Sequence, residues 1–302
     1  MQSKIFVVTG GRGFIGSHFV ELLLKENHTV IDIDKMTYAA NSELSFDKNP
    51  NYTLIKQDIK DITHLPYCHY VVNFAAESHV DNSIVNSFPF IESNIIGVHN
   101  LLDLIRRKVK RDRPVFFQIS TDEVYGDILE GSFSEPDKLK PSNPYSAAKA
   151  AAEMLVMSYG RTYDIDYFIS RSTNNYGPRQ YFEKLIPRII HSIKTNTKVP
   201  LHGDGSYVRD WIHVQDNVDA IYKIITDGSI NEIYNISSNC LMTNLEVVNH
   251  IKERLNICED IVEFVPNRTG QDLRYSISND KVKALGWSPK YLEMNVNQII
   301  CD

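Results

Sequence analysis

Apolar residues recur along this chain at two different spacings. Short runs rich in β-branched and aromatic residues predict strands at Ile5–Val8, Thr29–Asp34, Tyr52–Ile55, Tyr70–Ala76, Val115–Gln118 and Tyr167–Arg171. Between these runs, apolar residues follow helical periodicity, as in Phe19–Leu24 and Asn94–Arg107. Strands that alternate with helices favour a parallel sheet covered on both faces. The pattern therefore predicts an α/β fold, with a Rossmann-type doubly wound parallel sheet in residues 1–172.

Beyond residue 172 this alternation breaks down. The elements become shorter, turns become more frequent, and polar motifs are scattered between them. We expect residues 173–302 to form a smaller C-terminal α/β domain that binds substrate. Two apolar runs in this part, Val208–His213 and Glu232–Ile236, predict strands that could return to the large sheet.

Composition and charge narrow the possible functions. The 302-residue chain is 42% hydrophobic, which is enough to bury a sizeable core. Its formal net charge of −6 argues against nucleic acid, because phosphate backbones are bound through a surplus of Lys and Arg. The cysteines Cys68, Cys240, Cys258 and Cys301 have no CxxC spacing, and no metal-ligand cluster is visible. With no signal peptide and no membrane-length apolar run, we expect a cytoplasmic protein that binds no membrane.

The first strand leads into a glycine-rich turn and then a helix. Gly10, Gly13 and Gly16 permit a tight turn and a close approach of the backbone to a pyrophosphate. The phosphates would lie on the free N–H groups at the helix start. Asp34 ends the second strand, where an acid accepts the ribose hydroxyls of NAD and repels the 2′-phosphate of NADP. Lys35 could partly accommodate that phosphate, but the pattern favours NAD.

Two groups of residues can transfer protons. Thr121, Asp122 and Glu123 follow the fifth strand, and adjacent carboxylates can hold unlike pKa values. Tyr145 and Lys149 are four residues apart in a predicted helix, so they share one face. We expect the Lys149 ammonium to lower the pKa of the Tyr145 phenol, which would make Tyr145 a general base toward an alcohol.

Four isolated polar residues have both functional and ordinary interpretations. Asp58 follows the third strand and could reach an adenine, or be a solvated loop acid. His79 follows the fourth strand and lies on the substrate side or is structural. Arg209 and Arg268 are natural anion ligands, because guanidinium matches phosphate bidentately, or they are surface charges.

In this order, the motifs resemble those of the extended short-chain dehydrogenase/reductases, and within them the dTDP-glucose 4,6-dehydratases. The similarity runs from about Ile5 to Trp287. The motifs that carry it are Thr9–Gly16, Ala75–Asp81, Thr121–Glu123, Tyr145–Lys149, Asn174–Pro178, Glu183–Pro187 and Arg209–Trp211. The pair Asp122-Glu123 carries most of the subfamily assignment, since related epimerases and decarboxylases usually lack it.

This resemblance implies a three-stage reaction on a nucleotide sugar. Tyr145, assisted by Thr121 and Lys149, takes the C4 hydroxyl proton while hydride passes from C4 to NAD. Glu123 then removes the acidified C5 proton as Asp122 protonates the departing C6 hydroxyl, and water is eliminated. Hydride then returns from NADH to C6 and a proton is added at C5, giving a 4-keto-6-deoxy sugar and unchanged NAD.

The resemblance also implies binding residues and an assembly. Cofactor contacts are expected at Gly10, Gly13, Phe14, Ile15, Gly16, Asp34, Lys35, Thr37, Asp58, Ile59, Ala75, Ala76, Ser93, Tyr145, Lys149 and Asn175. Substrate contacts are expected at Ser78, His79, Asn174, Lys184, Leu185, Pro200, His202, Arg209, Asn244, Arg268 and Gln271. The implied assembly is a homodimer through a four-helix bundle, built from the helices near Asn94–Arg107 and Pro144–Arg161.

Three positions depart from the pattern common in bacterial members. Thr269 stands where Pro is common, Gln271 where His is common, and Asn82 where Arg is frequent. The expected substrate is dTDP-glucose, with UDP-glucose or another nucleotide hexose as the alternative. A C4 epimerase or a 4-dehydrogenase on the same scaffold also stays open. A non-catalytic nucleotide-binding regulator is disfavoured, because a binder has no use for an activated phenol.

Overall fold

The computed structural model describes residues 2–296. Within this range the strands form a seven-stranded, a three-stranded and a two-stranded sheet. The strands are β1 (Ile5–Thr9), β2 (Thr29–Asp34), β3 (Tyr52–Lys56), β4 (Tyr70–Asn73), β5 (Val115–Thr121), β6 (Tyr167–Ser172), β7 (Asn174–Tyr176), β8 (Val199–His202), β9 (Val208–His213), β10 (Glu232–Ile236), β11 (Leu241–Thr243) and β12 (Val262–Val265).

The large sheet is parallel throughout, with strand order β10-β6-β5-β4-β1-β2-β3. The order reverses at β1, which pairs with β2 on one side and with β4 on the other. Ligands of open α/β sheets bind at such a switch point, beyond the carboxyl ends of the strands. The predicted Rossmann-type doubly wound sheet is therefore confirmed.

Helices cover both faces of this sheet. The helices are α1 (Phe14–Lys25), α2 (Val80–Val85), α3 (Phe88–Ile91), α4 (Gly97–Arg107), α5 (Pro144–Tyr163), α6 (Leu185–Thr195), α7 (Val214–Asp227), α8 (Asn244–Leu255) and α9 (Asp280–Ala284). Because strand side chains alternate between faces, Val72 packs with α1 and α7, whereas Val71 packs with α4 and α5. A π-helical turn, Glu92–Ile96, joins α3 to α4.

The two smaller sheets lie in the C-terminal part of the chain and share a hydrophobic core of their own. Ile186 of α6, Trp211 of β9 and Val247 of α8 belong to it. Glu232–Ile236 joins the large sheet as β10, beside β6. Val208–His213 does not, because it pairs with β7 and β11 instead, so the expectation that this strand also returns to the large sheet is wrong. The division at residue 172 stays a prediction.

Three of the four cysteines lie in the part of the chain that the structure describes. Cys68 is buried, Cys240 is half-buried and Cys258 is exposed, and all three are free thiols. Cys301 lies outside the described residues. Among residues 2–296, no helix is both long and apolar enough to span a membrane. The same residues contain no group of three His, Cys, Asp or Glu side chains placed to hold a metal ion.

Candidate active site

A cavity of about 320 Å³ opens at the switch point of the large sheet. Its walls come from the ends of β1, β2, β4, β5 and β6 and from the start of α5. Every residue expected to contact the cofactor lines this cavity, as does each of Thr121, Asp122, Glu123, Tyr145 and Lys149. The fold thus brings residues from the whole N-terminal half into one site.

The glycine turn forms a cradle that side chains would fill. Gly10 has a φ of +72°, and a Cβ there would lie 2.7 Å from the backbone nitrogen of Ala75. A Cβ on Gly16 would lie 2.2 Å from the carbonyl oxygen of Gly10. The helix α1 then starts at Phe14, and the first N–H groups of a helix have no intrahelical partner. This end of the cavity suits a pyrophosphate.

The acid at the end of β2 is held by the glycine turn. Asp34 accepts hydrogen bonds from the backbone nitrogens of Arg12, at 3.0 Å, and Met36, at 2.7 Å. The Arg12 guanidinium is buried and is used elsewhere, donating to the Asn41 carbonyl at 2.8 Å and forming an ion pair with Asp47. Asp34 therefore faces the cavity, and the guanidinium of the nearest arginine does not lie next to its carboxylate.

Lys35 is also paired with carboxylates. Its ammonium lies 3.3 Å from Glu77 and 3.8 Å from Asp58. Because these two acids compensate its charge, Lys35 is a poorer ligand for an added phosphate than its sequence position indicates. Both observations favour a ribose diol at this end of the cavity over a 2′-phosphate.

The adjacent carboxylates lie on a 3₁₀ turn directly after β5, Asp122–Tyr125, which we call the carboxylate turn. The Thr121 hydroxyl caps it, accepting from the Glu123 backbone nitrogen at 3.3 Å and donating to Asp122 Oδ1 at 3.2 Å. Asp122 is only 2% exposed, whereas Glu123 is half-buried. Within the described chain, Asp122 Oδ2 is buried without a hydrogen-bond partner.

The two carboxyl groups have different electrostatic surroundings. Burial raises the pKa of Asp122 well above its ordinary value, and the charges of Glu123 and Asp210 raise it further. Burial also raises the pKa of Glu123, but Arg209, Arg268 and Lys184 oppose that rise. A protonated Asp122 beside an ionised Glu123 is the arrangement that these directions favour.

The α5 helix carries the other proton-transfer pair. It begins at Pro144, and Asn143 caps it by accepting from the Ser146 backbone nitrogen at 2.9 Å. Lys149 donates to the Ile119 carbonyl, and burial lowers its pKa to about 8. Tyr145 is 8% exposed and hydrogen-bonds to Thr121.

The expected lowering of the Tyr145 pKa by Lys149 is wrong for this arrangement. Burial raises the pKa of the Tyr145 phenol, and the charges of Glu123 and Asp122 raise it further. The hydrogen bond with Thr121 only partly opposes this rise. The protonation states of the phenol and of both carboxyl groups therefore influence one another. The positions of these residues in the sequence do not reveal this coupling.

Two predicted anion ligands lie near Glu123 but have further contacts. Arg209 is buried, donates to the Asp272 carbonyl at 2.9 Å, and lies over the Tyr275 ring at 4.3 Å from its centroid. Arg268 pairs with Asp81 of α2 at 2.8 Å. Both charges act on Glu123. Arg209 is therefore not a surface charge, Arg268 is partly exposed, and neither lines the main cavity.

The remaining substrate candidates are divided between two locations. Ser78, Asn174 and Lys184 line the cavity, and Lys184 donates to the Ser78 carbonyl at 3.0 Å. His79 caps α2 at the edge of this region. The other candidates lie in the C-terminal part outside the cavity lining: Leu185, Pro200, His202, Asn244 and Gln271. Contact of these five with a substrate stays a prediction.

Sequence reasoning missed one wall of the cavity. Gln180, Tyr181 and Glu183 line it from the segment between β7 and α6. Tyr181 contacts the ring of Tyr38, with centroids 5.2 Å apart, and the Tyr38 hydroxyl donates to Glu183 at 3.3 Å. These contacts join segments about 145 residues apart, so no local pattern could have predicted them.

Comparison with known proteins agrees with this geometry. A model of the GDP-mannose 4,6 dehydratase family matches residues 7–299. The chain belongs to this family. A match of that length includes the glycine turn, the carboxylate turn, α5 and the C-terminal part, so the family assignment covers the whole candidate site.

Individual relatives match over nearly their full length. The low-salt glycan biosynthesis protein Agl12 of Haloferax volcanii is 45% identical over 292 residues, covering 94% of this chain and 93% of that protein. A dTDP-glucose 4,6-dehydratase of Haemophilus influenzae is 42% identical over 315 residues, covering 94% and 93%. The crystal structure of DesIV, a dTDP-glucose 4,6-dehydratase of Streptomyces venezuelae with NAD bound, superposes with a TM-score of 0.92 at 37% identity, covering 98% and 95%.

Proposed function

We propose that this protein is an NAD-dependent nucleotide-sugar 4,6-dehydratase, a hydro-lyase that converts dTDP-glucose to dTDP-4-keto-6-deoxy-glucose. The observation that carries the proposal is the unequal pair Asp122 and Glu123, placed in one cavity with Tyr145 and Thr121. An elimination needs an acid and a base side by side, whereas a simple dehydrogenase or a C4 epimerase needs neither at this position. The dTDP-glucose 4,6-dehydratases among the relatives support the same assignment.

The cavity fits NAD on structural grounds. The cradle at Gly10 and Gly16 leaves no room for side chains, as close approach of a pyrophosphate requires. Asp34 would accept the ribose hydroxyls, and Lys149 and Asn175 also line the cavity. When bound, NAD supplies the hydride acceptor for sugar C4 and the hydride donor for C6.

Tyr145 is placed to act first. Its hydrogen bond with Thr121 favours the charged phenolate and partly opposes the rise in the Tyr145 pKa that burial causes. Tyr145 would take the C4 hydroxyl proton as C4 is oxidised. The resulting C4 ketone acidifies the proton on C5, and this step prepares the elimination.

The carboxylate turn then has two tasks. Glu123, ionised beside three cationic side chains, would remove the C5 proton. Asp122, protonated because it is buried beside another carboxylate, would donate its proton to the departing C6 hydroxyl. Water leaves, and hydride addition at C6 together with protonation at C5 completes a 4-keto-6-deoxy sugar.

A homodimer is part of the proposal. Helices α4 and α5 contact each other on one face of the sheet, and apolar side chains near them are exposed. Phe88 is 59% exposed, Ile96 45% and Met154 47%. Pairing these faces from two copies would bury that apolar surface in a four-helix bundle. Size-exclusion chromatography with light scattering tests this assembly, and a monomer at micromolar concentration would contradict it.

Product analysis tests the proposed reaction. The purified protein is incubated with NAD and either dTDP-glucose or UDP-glucose in separate reactions. The masses of the sugar products are measured by mass spectrometry. Loss of one water without net NADH is expected, with dTDP-glucose turning over faster than UDP-glucose. An unchanged mass with inverted C4 would indicate an epimerase, and stoichiometric NADH would indicate a 4-dehydrogenase.

A further inference from the structure

A buried ion pair lies behind the carboxylate turn, outside the cavity lining. Glu153 of α5 is 0% exposed and Arg171 of β6 is 2% exposed. The Arg171 guanidinium donates to the Glu153 carboxylate through Nε at 3.1 Å and through Nη2 at 2.6 Å. The proposed reaction gives neither residue a proton to transfer.

On one side, the ion pair contacts Ser120, the residue before Thr121. The Ser120 hydroxyl donates to Glu153 Oε1. One helical turn earlier on α5, Lys149 donates to the carbonyl of Ile119. The helix that carries Tyr145 therefore holds the end of β5 at two consecutive residues.

On the other side, the ion pair contacts Tyr125, the last residue of the carboxylate turn. Arg171 Nη1 donates to the Tyr125 hydroxyl at 2.6 Å, and the guanidinium lies 4.6 Å from the centroid of the Tyr125 ring. The Tyr125 hydroxyl in turn donates to Asn235 Oδ1 at 2.9 Å. A single ion pair thus contacts the chain on both sides of Asp122 and Glu123.

We propose that Glu153 and Arg171 are positioning residues, which fix the carboxylate turn relative to the helix bearing Tyr145. The reaction requires Tyr145 to act at C4 of a sugar while Asp122 and Glu123 act at C6 and C5 of the same ring. A misplacement of about 1 Å can slow such a step by about 100-fold. The contact with Tyr125 supports elimination in particular, because Tyr125 belongs to the carboxylate turn. This inference rests on the proposed function.

The test removes single hydroxyl groups that contact the ion pair and leaves both of its charged residues in place. Removing one charge of a buried ion pair destabilises the fold, so the first variant is Tyr125→Phe, which deletes only the hydroxyl that Arg171 contacts. The second variant is Ser120→Ala. The matched control is Tyr234→Phe, since Tyr234 of β10 is also buried and its hydroxyl accepts from the Ser229 backbone nitrogen instead of from Arg171.

Each variant is mixed rapidly with NAD and dTDP-glucose, and thermal unfolding is followed in parallel. NADH absorbance reports oxidation at C4, and the mass of quenched product reports elimination. In Tyr125→Phe we expect elimination to slow by roughly 10- to 100-fold while C4 oxidation keeps its wild-type rate. The Tyr234→Phe control should leave both rates unchanged.

The ratio of the two rates decides between positioning and a merely structural role. A loss of folded protein lowers both rates in the same proportion, so equal losses, or no loss, in Tyr125→Phe would overturn the inference. If thermal unfolding shows that Tyr125→Phe does not fold, Ser120→Ala decides: rates that fall although the protein stays folded support positioning, and wild-type rates overturn it. A wild-type protein that forms no water-loss product contradicts the proposed function, and the inference with it.

Discussion

Replacing Glu123 with Gln separates the two halves of the proposed reaction. Glutamine keeps the shape of the side chain but cannot accept the C5 proton. A positioned general base typically contributes about 10²- to 10⁴-fold in rate, which corresponds to about 2.7–5.4 kcal/mol of activation free energy. We expect elimination in Glu123→Gln to slow by that amount, while oxidation at C4 remains.

The structure adds two further effects of the same substitution. The Glu123 charge helps to hold the pKa of Asp122 up, so its loss favours ionised Asp122 and removes part of the acid as well. The Glu123 charge also raises the pKa of Tyr145. Without it the phenolate forms at lower pH, and the pH profile of C4 oxidation should move toward acid.

Rapid mixing with NAD and dTDP-glucose at several pH values measures both effects. Glu123→Gln should show NADH that forms and persists, with its formation extending to lower pH than in the wild type. The matched control is Glu130→Gln, which removes an exposed carboxylate further along the same loop and should change neither step. Wild-type elimination by Glu123→Gln, or an oxidation profile displaced toward alkaline pH, would refute the assigned roles.

Three further substitutions test the cofactor end of the site. Asp34→Asn removes a charged acceptor, worth about 1.5–3 kcal/mol, so the Kd for NAD in a binding titration should rise roughly 10- to 100-fold; unchanged affinity would place the ribose elsewhere. Asp32 is buried against the Tyr52 hydroxyl, and burial raises the pKa of Asp32 from 3.8 to about 7. The contribution of Asp32 to stability is therefore lost as pH rises through that interval. Asp32→Asn should therefore flatten the decline of Tm over this range, and an unaltered slope would contradict the assignment. Gly16→Ala places a Cβ 2.2 Å from the Gly10 carbonyl oxygen and should cost about 1–3 kcal/mol of stability and abolish NAD binding; a variant that binds normally would contradict the cradle.

Local sequence signals predicted much of the fold and part of the site. The strand-glycine turn-helix order predicted the position of the cradle, because that order is set by neighbouring residues along the chain, although the close contact with Ala75 is not. The predicted helix at Pro144 is α5, which runs to Tyr163. The spacing of Tyr145 and Lys149 correctly indicated one helix, because helical periodicity depends only on local backbone geometry.

Features set by distant residues could not be predicted in this way. The direction of the Tyr145 pKa shift depends on burial and on Glu123 and Asp122, more than 20 residues away. Arg209 is covered by Tyr275 and by a carbonyl 63 residues along the chain, so its burial has no local signal. The pairing of β9 with β7 and β11 likewise depends on tertiary contacts.

Isotope transfer follows the hydride from the sugar through the reaction. The proposed reaction requires that one hydride leaves C4 and returns to C6 of the sugar in a single turnover. The protein is incubated with NAD and dTDP-glucose that carries deuterium at C4, and the product is examined by NMR and mass spectrometry. We expect a product that has lost one water and carries the deuterium at C6. Deuterium that remains at C4 of a sugar of unchanged mass, or that accumulates in free NADH, would contradict the proposed reaction.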